Sequence, residues 1–150
     1  MRIEYRQATS VTVNRRLGGI ISLLRQLTHY YNRLTIRDLV DVVAQNNFVL
    51  VLALDVENHE QVVGMASIYF ERTLLGFQAR IEDVVVDAHC RGQGIGLELM
   101  ELLIKEAKKR GADFIELTSA DKREAALALY KRLGFEERET NVLRLKLNSA

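Results

Sequence analysis

Val84-Val85-Val86-Asp87-Ala88-His89-Cys90-Arg91-Gly92-Gln93-Gly94-Ile95-Gly96 is the stretch on which the fold turns. Its unbroken valine run is what a strand buried on both faces requires. The period then changes. From 94 to 110, Leu97, Met100, Leu103, Ile104 and Ala107 recur at helical spacing. Lys105, Lys108, Lys109 and Arg110 crowd the last turns, where cations suit the negative end of the helix dipole, and Gly111 supplies the stop. Between strand and helix, Gly92, Gly94 and Gly96 leave main-chain N–H groups uncovered and let a ligand approach closely. The helix start adds more N–H groups and a positive dipole end. Arg91 adds a guanidinium suited to phosphate oxygens. Together these features read as a pyrophosphate cradle.

Two better-known phosphate loops do not fit. A dinucleotide loop needs Gly-x-Gly-x-x-Gly, whereas these glycines sit at every second position and none follows three beyond Gly96. A P-loop ends in Gly-Lys-Ser/Thr, and here Leu97-Glu98 follow Gly96. The alternative left standing is a glycine turn that only lets the strand enter the helix.

Outward from this stretch, Ile3 and Tyr5 read as an opening strand. Val13, Leu17, Ile20, Ile21, Leu24 and Leu27 mark an amphipathic helix over 11–27, weakened by Gly18 and Gly19. Thr35 caps a second helix with Asp38 in capping-box spacing. Segments 48–56 and 61–70 read as a hairpin, and 78–87 as the next strand. After the long helix, Phe114, Ile115 and Leu117 form a short strand. Asp121 then caps a helix with Glu124 at its third position, lined by Ala125, Ala126, Leu129, Tyr130 and Leu133 and ended by Gly134. Segments 135–137 and 142–147 close the chain as strands. The order is β-α-α-β-β-β-α-β-α-β-β, an α/β fold on a mixed sheet with a parallel crossover in its second half.

Composition bounds the function. The 150 residues carry 21 Lys+Arg against 20 Asp+Glu, a formal net charge of +1. That balance supplies no global field for nucleic acid or an anionic membrane. Hydrophobic residues make up 48% and charged residues 27%, which is globular composition and enough for one domain over 1–150. No proline occurs, where average usage gives about 7, so Gly, Asn and Asp must set the turns. The single cysteine, Cys90, excludes an intrachain disulfide and a Cys-rich zinc module. Arg2, Glu4 and Arg6 interrupt any signal-peptide run, and the apolar stretch 48–54 is too short to span a bilayer. A soluble, cytoplasmic protein without bound metal is expected.

Arg91-Gly92-Gln93-Gly94-Ile95-Gly96 resembles the acetyl-CoA-binding signature of the GNAT N-acetyltransferases: Arg or Gln, two residues, Gly, one residue, Gly or Ala. The likeness continues upstream in Ile81-Glu82-Asp83-Val84-Val85-Val86-Asp87. Downstream it continues in Ala126-Leu127-Ala128-Leu129-Tyr130-Lys131-Arg132-Leu133-Gly134-Phe135, similar to the family's Ala-x-x-Leu-Tyr-x-x-x-Gly-Phe. It covers roughly residues 77–147, and its three blocks in order are more specific than any one of them.

The resemblance implies the GNAT fold and an enzyme that moves an acetyl group from acetyl-CoA to a primary amine. It implies that the backbone of Val84, Val85 and Val86 pairs with the pantetheine arm beside a splay in the sheet. It implies that an N–H there polarises the thioester carbonyl. Arg91, Gly92, Gln93, Gly94, Ile95 and Gly96 would hold the pyrophosphate, and Tyr130 would protonate the leaving thiolate. Two positions depart from the family. Arg123 stands where many relatives carry Asn, and either reaches a CoA phosphate or faces solvent. Thr118 stands where some relatives place a glutamate base, so Glu82 is the candidate for taking the amine's proton. The acceptor is a small-molecule or peptide amine, and a homodimer is in keeping with the family; His29, Tyr30 and Tyr31 either wall the acceptor site or form a polar surface loop. The competing readings are a CoA or acyl-CoA-binding regulatory module without turnover, and a partner-binding domain with a vestigial loop.

Overall fold

A computed structural model describes residues 1–28 and 33–148. His29, Tyr30 and Tyr31 therefore lie outside the described residues. The chain divides into two compact units, residues 1–118 and 119–150.

The first unit is built on a five-stranded sheet, ordered β1-β2-β3-β4-β5: β1 (Ile3–Gln7), β2 (Phe48–Asp55), β3 (Gln61–Thr73), β4 (Gly76–Val86) and β5 (Phe114–Glu116). The first four strands run antiparallel in sequence, and β5 joins β4 in parallel after the crossover helix. The mixed α/β architecture is the one the hydrophobic periods call for.

On one face, α1 (Leu17–Leu27) and α2 (Ile36–Val43) cover a core of Ile20, Leu23, Leu39, Leu52, Met65 and Val85. The helix expected over 11–27 begins as a 3₁₀ turn at Val13–Arg16 and becomes α-helical only at Leu17. Gly19 has a packing reason, because a Cβ there would stand 2.9 Å from the Val62 side chain. Thr35 and Asp38 form the expected capping box.

On the other face lies α3 (Ile95–Arg110), which buries Ile95, Leu99, Met100, Leu103 and Ala107. Gly64 of β3 lets its first turn approach closely, since a Cβ there would meet Ile95 at 3.0 Å and Leu99 at 3.3 Å. Gly111 ends α3 at φ +78°, with its N–H bonded to the carbonyls of Ala107 and Lys108.

The second unit holds α4 (Glu124–Arg132). Asp121 does not cap it. Arg123 N bonds to Ala120 O in a turn, and Arg123 itself is the N-cap residue. The closing strands expected at 135–137 and 142–147 are not formed among the described residues. A strand exists only through a ladder with a neighbour, and Val142, Leu143, Leu145 and Leu147 are exposed. Alternating sequence alone does not supply the partner.

Candidate active site

The site begins where the β4–β5 ladder ends. The two strands pair only at Gln78–Phe114, Ala79–Ile115 and Arg80–Glu116, while β4 runs on to Val86. β5 ends at Glu116, so β4 runs on through Val84, Val85 and Val86 without it. On its other side β4 stays bound to β3, through Met65–Val85 and Gly64–Val86.

The chain leaves β4 through Asp87, whose carboxylate accepts from His89 N at 2.9 Å and caps a short 3₁₀ turn, Ala88–Cys90. Gln26, in the last turn of α1, holds the same corner. Its Nε2 donates to Asp87 Oδ2 at 3.0 Å and its Oε1 accepts from Ala88 N at 2.9 Å. These bonds keep the Asp87 carboxyl below its usual pKa, Gln26 contributing most.

Gly92 and Gly94 then adopt φ +77° and +80°, a left-handed conformation that L side chains resist. A Cβ on either would meet no protein atom within 4 Å, so these glycines face open space. Gly94 is the N-cap of α3 and no side chain caps the helix, so its first turn presents main-chain N–H groups without a side-chain acceptor. Arg91 folds back, its Nε donating to Val86 O at 3.2 Å. Its Nη groups are what it can offer a phosphate. The chemistry of this donor set fits the pyrophosphate of acetyl-CoA. Among the described residues, no group of three or more His, Cys, Asp or Glu is placed to hold a metal ion.

Upstream, β4 carries an irregularity where the sequence predicts plain strand. Ser67 pairs with Glu82 and Met65 with Val85, so Asp83 and Val84 together oppose Ala66 in a β-bulge. Asp83 sits at φ +54°, in the left-handed region that Asp and Asn enter more readily than other residues. Ser67, only 1% exposed, donates to Glu82 O at 3.0 Å and lies 3.3 Å from Asp83 Oδ2. Asp83 keeps part of its surface open, yet protein crowds its carboxyl enough to raise its pKa, with the Glu82 charge adding to the rise. Glu82 itself pairs with Arg80 Nε at 2.7 Å.

In the second unit, Tyr130 is buried, 4% exposed, and its ring meets Phe135 edge-on at 6.0 Å. Burial raises the phenol's pKa, and Arg123 draws it back by charge and by a hydrogen bond. Arg123 thus engages the tyrosine whose protonating role the resemblance implies. Sequence reasoning missed Asp83, Ser67 and Gln26. An Asp set among Ile and Val inside a strand was the one available signal, because Asp is depleted from strands.

Comparison with known proteins bears on this geometry. The model of the acetyltransferase (GNAT) family matches residues 21–135. An uncharacterized N-acetyltransferase of Methanocaldococcus jannaschii is 46% identical over 61 residues, covering 41% of this chain and 27% of that protein. The L-methionine sulfoximine/L-methionine sulfone acetyltransferase of Pseudomonas aeruginosa is 31% identical over 97 residues, covering 64% of this chain and 55% of the enzyme. The matched part is thus about half or less of these curated relatives. Among solved structures, an aminoglycoside acetyltransferase from an uncultured soil metagenomic sample superposes with a TM-score of 0.84 over 97% of each chain, at 18% identity. That likeness concerns the fold.

Proposed function

The chain belongs to the GNAT acetyltransferase family, and from that membership we propose that it transfers the acetyl group of acetyl-CoA to a primary amine. The observation that carries the reading is the passage from a strand that outruns its parallel partner into a loop with two left-handed glycines at an uncapped helix start. In this reading the backbone of Val84, Val85 and Val86 holds the pantetheine arm. Arg91, Gly92, Gln93, Gly94, Ile95 and Gly96 hold the pyrophosphate with main-chain N–H groups and one guanidinium. Acetyl-CoA supplies the activated acyl carbon. Tyr130 holds a proton on its phenol for the departing sulfur, and Arg123 steadies the phenolate that results. A β4 carboxylate, Glu82 or Asp83, takes the proton of the ammonium form, so that the amine attacks as a neutral nucleophile. Holding both reactants in one complex supplies much of the acceleration.

The acceptor is a small-molecule or peptide amine. Among the described residues no helix is long and apolar enough to cross a membrane. The test is release of free CoA thiol from acetyl-CoA with a panel of amines: L-methionine sulfone, an aminoglycoside, a polyamine and a peptide with N-terminal alanine. Release that requires one of these amines and falls in Tyr130→Phe supports an enzyme. CoA binding without turnover on any of them, and unaltered in Tyr130→Phe, supports the regulatory binder instead.

A further inference from the structure

Within the acetyltransferase reading, on which this step rests, we infer that Asp83, presented by the β4 bulge and steadied by Ser67, is the carboxylate that takes the proton from the incoming amine. Its place is the first ground. Asp83 lies three residues beyond the last β4–β5 pair and directly before Val84, at the start of the segment that the sheet leaves unaccompanied by β5. Asp83 is a non-glycine residue held in left-handed conformation inside a strand, and residues so strained concentrate at functional sites. The bulge is also built rather than incidental: Ser67, buried on β3, bonds to the Glu82 carbonyl and reaches the Asp83 carboxyl.

Its environment is the second ground. Asp83 is exposed, so an incoming amine can reach it, while the protein beside its carboxyl and the Glu82 charge raise its pKa. The groups acting on it are few. Glu82 on its own strand raises its pKa, and the hydroxyl of Ser67 from β3 lowers it slightly, being shared with the nearer Glu82 carbonyl. Arg80, the nearby cation, is turned to Glu82. Protonating Glu82 would break that ion pair, whereas protonating Asp83 breaks none. The step balances simply: one N–H bond of R–NH₃⁺ breaks, an O–H bond forms on Asp83, and the electron pair stays on nitrogen. Asp83 later returns the proton to water.

The test has two readouts. The first is the pH dependence of kcat with the amine from the panel that gives the fastest thiol release. Wild type should show an acid limb, rising as Asp83 loses its proton. Asp83→Asn should keep the fold, because Asn also tolerates positive φ, and should lose the limb with a fall of about 10²- to 10⁴-fold. Glu82→Gln should move the limb to lower pH, and Ser67→Ala to higher pH. The second readout needs no turnover: the carboxyl ¹³C signal of Asp83, assigned by its loss in Asp83→Asn, should titrate above the ordinary aspartate range. It should shift down in Glu82→Gln and up in Ser67→Ala.

An acid limb that survives in Asp83→Asn, or a uniform loss of activity at all pH, would overturn the assignment. So would an Asp83 signal at or below the ordinary range. Failure of acetyl-CoA to raise the melting temperature of wild type would overturn the transferase reading itself. Retained stabilisation with an unshifted Asp83 signal would overturn only the role of Asp83.

Discussion

Gln26 and Asp87 meet across 61 positions of sequence, Nε2 to Oδ2 at 3.0 Å, and the same amide takes the N–H of Ala88 at 2.9 Å. One side chain of α1 therefore fixes the corner at which β4 turns toward the phosphate loop. Asp87 is held from two sides, since it also accepts from His89 N. The loop's entry is set by the tertiary structure, while its interior is set by glycine.

Replacing Gln26 by Leu should release both contacts while keeping the side chain's bulk. Each hydrogen bond contributes roughly 0.5–1.5 kcal/mol, and solvent exposure places these at the lower end. The expected outcome is a loss of about 1 kcal/mol by denaturant titration and a weaker Kd for acetyl-CoA. A variant that loses stability but binds acetyl-CoA as tightly as wild type would show that the corner does not shape the loop.

The glycines of the loop should not tolerate side chains. Gly94→Ala places a Cβ on a residue at φ +80°, which costs about 1–2 kcal/mol even though no protein atom obstructs it. Stability should fall by that amount, and CoA binding should fall further, because the new methyl points into the space assigned to the ligand. Equal affinity in calorimetry would refute that assignment.

Tyr130 and Arg123 act as a pair in the second unit. Tyr130→Phe should lower kcat by about 10²- to 10⁴-fold while leaving the melting shift with acetyl-CoA in place. Arg123→Met should raise the phenol's pKa further, since it removes the charge and the hydrogen bond that oppose burial. Ultraviolet titration of the variant, with Tyr130→Phe subtracted, reads this directly. A phenol that titrates lower in Arg123→Met would contradict the pairing.

Acid should weaken the fold through Glu60. Arg16 and Arg6 both bond to its carboxylate and hold its pKa at about 2 rather than 4.5. A depressed pKa contributes stability above the unfolded value and loses it as pH falls toward the folded one. Wild type should therefore lose stability between pH 4.5 and about 2, and Glu60→Gln should be weaker at neutral pH with a flatter profile across that window. Parallel profiles for the two proteins would exclude the contribution.

Much of this architecture was legible because local chemistry and tertiary need agree. Thr35 with Asp38, Gly111 after the cations of α3, and the glycine loop after the valine run each state their structure within a few residues. The bulge at Asp83 was not legible, since Ile81 to Val86 reads as one strand and the extra residue exists only against the spacing of β3. Asp121 resembled a helix cap, but the turn from Ala120 to Arg123 moves the helix start. The pattern of Leu143, Leu145 and Leu147 promised a strand, which requires a partner that the sequence does not name. Glu82 stands out in the sequence by position alone, and its ion pair with Arg80 exists only in the fold.

Binding of acetyl-CoA at the glycine loop is tested by the melting temperature with acetyl-CoA, CoA, NAD and ATP in separate samples. A ligand at 100-fold excess over Kd adds roughly 2.7 kcal/mol, about 5–10 °C for a chain of this size. A rise with acetyl-CoA and CoA and none with NAD or ATP is the predicted result. No rise with either CoA species, in protein confirmed folded and free of co-purified ligand, would exclude a CoA site and reduce the glycine loop to a turn.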